Sequence, residues 1–178
     1  KYLKNDTLEA LVIFVTKEGY DFIEQNTDNQ IPVLFDSNSI DKIADETLSI
    51  DTLERSKAIG YAYYITHVQS DEISNTPDSK QEKRRLLTLF LAKVAPTIIP
   101  TESFVLGTSR LGHAKLGDAK ILEELRKGKW KNTNDALIGE TAIKNNMLLI
   151  TNDEDFKKRV LALGGKALTC LEFQRLLS

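Results

Sequence analysis

The stretch that decides the fold runs from Asn134 to Phe156 and reads NDALIGETAIKNNMLLITNDEDF. Its first half predicts an amphipathic helix, with Asn134 as the N-cap and Asp135 in the first turn. Met147 to Ile150 form a continuous apolar run, which is typical of a strand buried in a parallel sheet. Thr151 to Asp153 then follow at the carboxyl end of that strand, where open α/β sheets place their ligands. One helix start and one strand end are therefore each expected to present an acid at the same edge.

Outside this stretch, short β-type runs alternate with helical patterns. Strands are predicted at Ile31–Phe35, Tyr61–His67, Thr97–Ile99 and Ala167–Cys170. Two helices are predicted within residues 39–60, and a short helix is predicted from Ser70. A further helix is predicted to have Thr76 as its N-cap and Pro77 as its first residue. The last helices are predicted over 118–127, 155–163 and 171–177. The second part of 39–60 is expected to begin at an Asp51 cap. This alternation predicts a three-layer α/β/α domain around a central parallel sheet of four or five strands.

The first residues of the chain differ from this pattern. Between Thr7 and Gln25 apolar residues recur at helical spacing, which predicts an N-terminal helical extension. We therefore divide the chain into an extension, residues 1–30, and an α/β domain, residues 31–178. The three glycines between Ser103 and Gly117 weaken any helix prediction there.

The composition narrows the class of protein. A chain of 178 residues with 41% hydrophobic and 28% charged residues suits one compact domain. Cys170 is the only cysteine, so no intramolecular disulfide can form and a reducing compartment is expected. The apolar run Leu11–Val15 is too short to cross a membrane. We expect a soluble cytoplasmic protein without a membrane partner.

The charge is close to balanced but unevenly distributed. A formal net charge of -2 argues against non-specific coating of nucleic acid. However, basic residues outnumber acidic ones between Arg110 and Lys131, directly before Asp135. This strip carries the candidate substrate-binding residues Lys127, Lys129, Trp130 and Lys131, the lysines for the phosphate backbone and the tryptophan for stacking on a base.

Acidic residues follow several of the predicted strands or begin predicted helices. They are Asp36, Glu72, Asp135 and Asp153, with Asp155 as a further candidate. Carboxylates crowded at one edge raise one another's pKa values unless a cation neutralises them. Oxygen ligands without a Cys or His cluster favour Mg²⁺ or Mn²⁺ over zinc. Such ions can activate water and clamp a phosphodiester.

The order of these motifs resembles the PIN-domain nucleases, including the toxin ribonucleases of bacterial and archaeal toxin–antitoxin pairs. The resemblance rests on Asp36-Ser37-Asn38 after a strand, Glu72 after the next strand, Asp135-Ala136-Leu137-Ile138 at a helix start and Thr151-Asn152-Asp153-Glu154-Asp155-Phe156. It covers the chain from Ile31 onward, with Glu72 the most loosely aligned residue.

The resemblance implies a metal-dependent endoribonuclease. Asp36, Glu72, Asp135 and Asp153 would be catalytic metal ligands for Mg²⁺ or Mn²⁺, with Asp155 as an outer ligand. The supporting residues would be Ser37, Asn38 and Thr151; Ser37 would bond the first carboxylate or a metal-bound water, and Thr151 would act likewise near Asp153. RNA is the implied substrate, and an antitoxin protein and a second copy of the chain are implied partners.

Other interpretations of the same residues compete with this one. A PIN-like module could bind RNA or protein without cutting, and a receiver-type phosphoacceptor also gathers acids at a sheet edge. The receiver class needs a late lysine at a strand end, whereas Lys166 precedes its predicted strand. His67 and His113 are interpreted as unrelated structural or surface histidines. Basic residues of 80–85, Lys83 among them, are interpreted as an exposed helix face.

Overall fold

The fold is a three-layer α/β/α sandwich, as predicted. The computed structural model describes residues 30–44 and 48–177. Within them lies a five-stranded parallel sheet of β1 (Ile31–Phe35), β2 (Tyr61–Thr66), β3 (Thr97–Ile99), β4 (Leu148–Ile150) and β5 (Lys166–Leu168). The α-helices are α1 (Ser37–Ala44), α2 (Ile50–Ser56), α3 (His67–Ser74), α4 (Gln81–Lys93), α5 (Lys120–Arg126), α6 (Thr133–Lys144), α7 (Glu154–Ala162) and α8 (Cys170–Leu176).

Each face of the sheet has its own apolar core, because successive side chains of a strand point to opposite faces. Val33 and Phe35 of β1 face a core that includes Phe90 of α4 and Phe173 of α8. Leu34, between them, joins the other core, which is built largely from α5, α6 and α7. Both sides of the sheet are therefore covered, which explains why its central strands are continuous apolar runs.

The order of the strands creates a crevice beside β1. The strands lie in the order β3-β2-β1-β4-β5, so the chain builds outward from β1 on one side and then returns to its other side with β4. Phe35 is paired with Ile150, and the next residues along both strands emerge together. In open α/β sheets ligands bind at such a reversal point, outside the carboxyl ends of the strands. The end of β1 and the end of β4 therefore define where a site is expected.

Several predicted element starts are wrong. The N-cap of α2 is Ser49, whose side chain accepts from the Thr52 amide, and not Asp51. Helix α3 begins at His67 and not at Ser70, because Thr66 and Gln69 form a capping box. Pro77 is extended and precedes a short 3-10 turn, so α4 begins at Gln81.

Two further corrections affect the ends of α6 and β5. Helix α6 begins at Thr133, so Asn134 lies inside the first turn and is not the N-cap. Strand β5 ends at Leu168, and Cys170 starts α8 after a Thr169 cap. In the region predicted as two helices over 39–60, α1 is described as far as Ala44, and α2 ends at Ser56 and is followed by a 3-10 turn over Lys57–Ile59. The other predicted strands and helices match the structure to within about two residues at each end, the usual scatter of such boundaries.

The segment between β3 and α5 contains no regular helix or strand. It is held by a bridge between Thr101 and Ala114 and by Glu102, which pairs with Lys115 at 2.5 Å and accepts from Asn145 at 2.8 Å. The predicted extension over Thr7–Gln25 lies outside the described residues, and the division at residue 30 stays a prediction. No helix of the described chain combines the length and the apolar content that crossing a bilayer requires.

Candidate active site

Asp36 occupies the crevice between β1 and β4. It directly follows β1 and is fully buried. Its Oδ1 accepts from the Ser37 amide at 2.8 Å, and its Oδ2 accepts from the Thr151 hydroxyl at 2.8 Å. Burial is the main cause that raises the pKa of Asp36 to about 7, and the negative charges of Asp135 and Glu72 add to the rise. The two hydrogen bonds oppose this shift but do not cancel it.

Asp135 lies in the first turn of α6 and is a second acid of the crevice. Burial raises its pKa, and the charges of Asp153 and Glu72 raise it further. Arg159 is a smaller influence in the opposite direction. Asp135 also raises the pKa of Asp36, so it is electrostatically coupled to the acids of three other elements.

Glu72 reaches the site from α3. It is exposed, and its Oε1 accepts from the Asn134 side-chain amide at 3.2 Å. Because Asn134 precedes Asp135, this bond brings Glu72 beside the start of α6. The most loosely aligned of the four acids thus lines the same cavity as Asp135.

Asp153 stands at the start of α7, where its Oδ1 accepts from the Phe156 amide at 2.8 Å. It is therefore a helix cap as well as a member of the charged cluster. Asp155 is exposed in the first turn of the same helix. The structure couples Asp153 to Asp135 through its charge and leaves Asp155 at the surface.

The polar residues around Asp36 act differently from one another. Thr151 donates to Asp36 and also accepts from the Asp153 amide at 3.2 Å, so one hydroxyl connects two acids. Ser37 contacts Asp36 through its backbone amide, while its hydroxyl is buried without a hydrogen-bond partner in residues 30–44 and 48–177. Asn38 is exposed and lines the cavity beside the acids.

The cavity has a volume of about 480 Å³. Its lining includes Asp135, Glu72 and Asn134, together with Lys131 from the predicted basic strip. Lys127, Lys129 and Trp130 lie in the preceding turn and are exposed. Trp130 is 61% exposed and packs one face on the Arg126 guanidinium, 5.2 Å from the ring centre. Of these four residues, Lys131 alone lines the cavity.

The acids affect one another through their negative charges, but they do not form a closed shell of metal ligands. Within the described parts of the chain, no three His, Cys, Asp or Glu side chains stand close enough to hold a metal ion. The chemistry of the donors nevertheless fits a hard divalent cation, because every candidate ligand is a carboxylate oxygen. A cation among Asp36, Asp135 and Glu72 would remove the repulsion that raises the pKa values of Asp36 and Asp135.

The sequence did not predict three residues that shape the site. Gln69 bridges two strand ends, since its Oε1 accepts from the Thr66 amide at 2.8 Å and its Nε2 donates to the Phe35 carbonyl. The spacing Thr66-x-x-Gln69 is a capping-box signal from which it could have been found. Asn134 and Lys83 carry no such signal, because their roles depend on α3 and α1, which are distant in sequence.

Residues 113–160 match the family model described as PIN domain. This match supports the PIN-domain assignment. The match contains Asp135 and Asp153, and the parallel α/β/α fold agrees with it. No curated protein and no solved structure matches the chain.

PIN domains are nuclease-type folds, and they generally bind nucleic acid. The match does not separate toxin ribonucleases from the other nucleases of the family. Asp36 and Glu72 lie outside residues 113–160, so their place in the site rests on the geometry of the crevice.

Proposed function

We propose that this chain is a metal-dependent endoribonuclease whose site is the acidic crevice at the ends of β1 and β4. The observation that carries the proposal is the environment of Asp36. It is a buried carboxyl held by the Thr151 hydroxyl and surrounded by the charges of Asp135 and Glu72. Such an arrangement reduces stability at neutral pH, and perturbed carboxyl groups of this kind concentrate at functional sites.

Asp36, Glu72, Asp135 and Asp153 would hold Mg²⁺ or Mn²⁺, with the exposed Asp155 as an outer ligand. The bound ion would lower the pKa of water and offset the charge that develops on the phosphate. Thr151 holds Asp36 in place, and Asn134 holds Glu72 beside the start of α6. Ser37 has a buried hydroxyl that is available to a water or ligand in the crevice.

The side chains around the acids would position the RNA. Lys131 lines the cavity, so its ammonium is suited to a phosphate next to the cleaved bond. Lys127 and Lys129 are exposed in the same turn and extend the positive charge along the backbone path. Trp130 presents an exposed ring on which an unpaired base can stack.

Cleavage of labelled RNA by the full chain tests the proposal. We expect cutting with Mn²⁺ or Mg²⁺, none with EDTA, and a loss of at least about a hundredfold in Asp36→Asn, since removing one catalytic group commonly has an effect of this size. Asp51→Asn is the matched control, because Asp51 is an exposed aspartate paired with Lys93 outside the crevice. Undiminished metal-dependent cutting by Asp36→Asn would refute the assigned site.

A non-catalytic PIN-like module is the second candidate. It is favoured by the finding that, among the described residues, no three potential ligands are close enough to hold a metal. Calorimetric titration with Mn²⁺ separates the two functions, because the nuclease must bind the ion and a scaffold need not. The receiver alternative is weaker, because Lys166 begins β5, whereas the acids follow the opposite ends of their strands.

The resemblance extends the proposal to a cytoplasmic toxin with an antitoxin partner and to a homodimer. Growth arrest on expression in bacteria, relieved by Asp36→Asn, would support the toxin role. Normal growth with the active nuclease would contradict it. Mass measurement by light scattering tests the dimer directly.

A further inference from the structure

The cavity that Glu72 and Asp135 line is also lined by other side chains from α1, α3 and α4. We name this part the side recess and define it by Asn38, Ile40, Asp41, Ile73, Lys83 and Leu87. Its apolar members are nearly buried, with exposures of 3% for Ile40, 8% for Ile73 and 2% for Leu87. They belong to the core that packs on the sheet, so the floor of the recess is held rigidly.

An ion pair between α1 and α4 lines the recess together with these apolar residues. The Lys83 ammonium lies 2.5 Å from Asp41 Oδ1, and the two side chains are 29% and 56% exposed. Lys83 has three N–H donors and a carboxylate has two oxygens, so each group can bind a further partner while the ion pair persists. The recess thus combines an apolar floor with a donor and an acceptor side by side.

We propose that the side recess binds one unpaired base of the RNA, next to the cleaved phosphate, and that the Lys83–Asp41 pair recognises the edge of that base. This inference rests on the proposed function, because the recess shares one cavity with Glu72 and Asp135, two of the proposed metal ligands. The whole cavity, of which the side recess is one part, has a volume of about 480 Å³, which lies in the range of small-molecule pockets. Proteins that read RNA commonly splay out single bases and bind their Watson–Crick edges.

The charges of the pair favour guanine over the other bases. Guanine carries an acceptor, O6, directly beside two donors, N1–H and N2–H. Lys83 can donate to O6 while Asp41 accepts from the neighbouring donors, so every group on that edge has a partner. Adenine and cytosine each offer one donor group beside an acceptor, and uracil offers one donor between two acceptors. These three bases therefore donate fewer hydrogen bonds to Asp41.

The chain provides a matched control on the same helix. Lys93 of α4 pairs with Asp51 of α2 at 2.7 Å, which repeats the chemistry of the Lys83–Asp41 pair. Neither Lys93 nor Asp51 lines the cavity. Lys93→Gln therefore removes an equivalent charge and an equivalent ion pair from α4 without altering the recess.

The test measures binding of fluorescent, uridine-rich RNA oligonucleotides that differ at one central base. The full chain is titrated by anisotropy in EDTA, so that no RNA is cut. We expect the guanine oligonucleotide to bind at least about fivefold tighter than the others, since a bidentate contact gives discrimination of this size. Lys83→Gln and Asp41→Asn should reduce the preference to below about twofold, whereas Lys93→Gln should keep it.

The inference would be overturned if the four RNAs bound equally, if none of them bound, or if another base were preferred. It would also be overturned if Lys93→Gln lost the guanine preference as much as the recess variants. Parallel cleavage with Mn²⁺ separates it from the proposed function. Cutting without base preference would leave the nuclease standing and remove the base site. Selective binding without cutting would support the base site and contradict the nuclease.

Discussion

Among the described residues, two carboxyl groups are fully buried, and the charges around them are opposite. Asp36, in the crevice, is neighboured by Asp135 and Glu72, whose charges raise its pKa. Glu140, near the end of α6, forms an ion pair at 3.0 Å with Lys144, which also pairs with Asp118 at 3.0 Å. A buried acid with a cation beside it is explained by the fold. A buried acid surrounded by other acids is not explained by the fold, and under the proposed function a bound cation would neutralise it.

The acids around Lys144 stabilise its positive charge. Burial acts to lower its pKa, but hydrogen bonds and charges from Asp118 and Glu140 outweigh burial and raise the pKa. The positive charge of Lys144 is therefore stabilised by the acids beside it. In the crevice, by contrast, ionisation of each acid makes ionisation of the next more costly.

The largest expected difference between the two regions is the pH dependence of stability. The folded pKa of Asp36, about 7, lies above its ordinary value of 3.8, so its contribution is fully present below pH 3.8 and is lost as pH rises through 7. A shift of this size corresponds to about 4 kcal/mol in the free energy of unfolding. About 2.7 kcal/mol of this loss falls between pH 5 and pH 8, so urea unfolding of wild type and Asp36→Asn at these two pH values measures it, and Asp36→Asn should gain stability relative to wild type at pH 8.

The same experiment with Glu140→Gln provides the contrast. Because Lys144 already balances Glu140, this variant should not gain stability between pH 5 and pH 8. If Asp36→Asn and Glu140→Gln respond alike to pH, the distinction between the two buried acids is wrong.

Addition of Mn²⁺ should reproduce the effect of neutralising Asp36. At a hundred times its Kd the ion should stabilise wild type by about 2.7 kcal/mol, because it binds the folded state. Above pH 7 the gain should be largest in wild type and largely absent in Asp36→Asn. Thermal unfolding with and without Mn²⁺ measures it, and an equal rise of Tm in both proteins would place the ion elsewhere.

Removal of the cation at the other site should have a somewhat smaller effect. Lys144→Met leaves the Glu140 carboxylate buried without its partner, and we expect a loss of about 2 kcal/mol in the free energy of unfolding. This is below the range for fully buried pairs, since Lys144 is 25% exposed. Urea denaturation gives the value, and the cleavage rate of the variant should remain that of wild type. A large loss of cleavage would mean that the two regions are coupled.

The smallest expected effect is that of Thr151→Val. It removes the hydroxyl that donates to Asp36 Oδ2 at 2.8 Å and should raise the pKa of Asp36 further. We expect a decrease of about 1 kcal/mol in the free energy of unfolding at pH 8, and a shift of the pH–rate profile to higher pH. Thr151→Ser should restore both quantities, and failure of this rescue would assign the effect to packing.

The local patterns of the sequence predicted much of this architecture. Strands Ile31–Phe35 and Thr97–Ile99 were predicted with the bounds that the structure shows, because buried apolar runs and flanking prolines are short-range signals. The predicted first residue of a helix was less reliable where two nearby residues could each act as the N-cap. Ser49 rather than Asp51 caps α2, and Asp51 instead pairs with Lys93 of α4.

Contacts between distant segments were the main source of error. His67 and His113 were interpreted as unrelated, yet their rings are 6.1 Å apart because the segment after β3 folds back over the start of α3. Asp71 of α3 likewise pairs with Arg110 of that segment at 2.7 Å, a contact between residues distant in sequence. Lys83, expected on an exposed face, lines the cavity because α4 packs beside α1.

By itself the sequence determined the parallel α/β class and the order of the acids along the chain, because both follow from periodicity and from residues that are neighbours in sequence. The tertiary structure alone decided that β4 returns beside β1, which brings Thr151 to Asp36 and places both at the reversal of strand order. It also decided that Glu140 meets Lys144 while Asp36 meets other acids. Burial and long-range charge depend on which elements pack together, and a pattern along one chain does not contain that information.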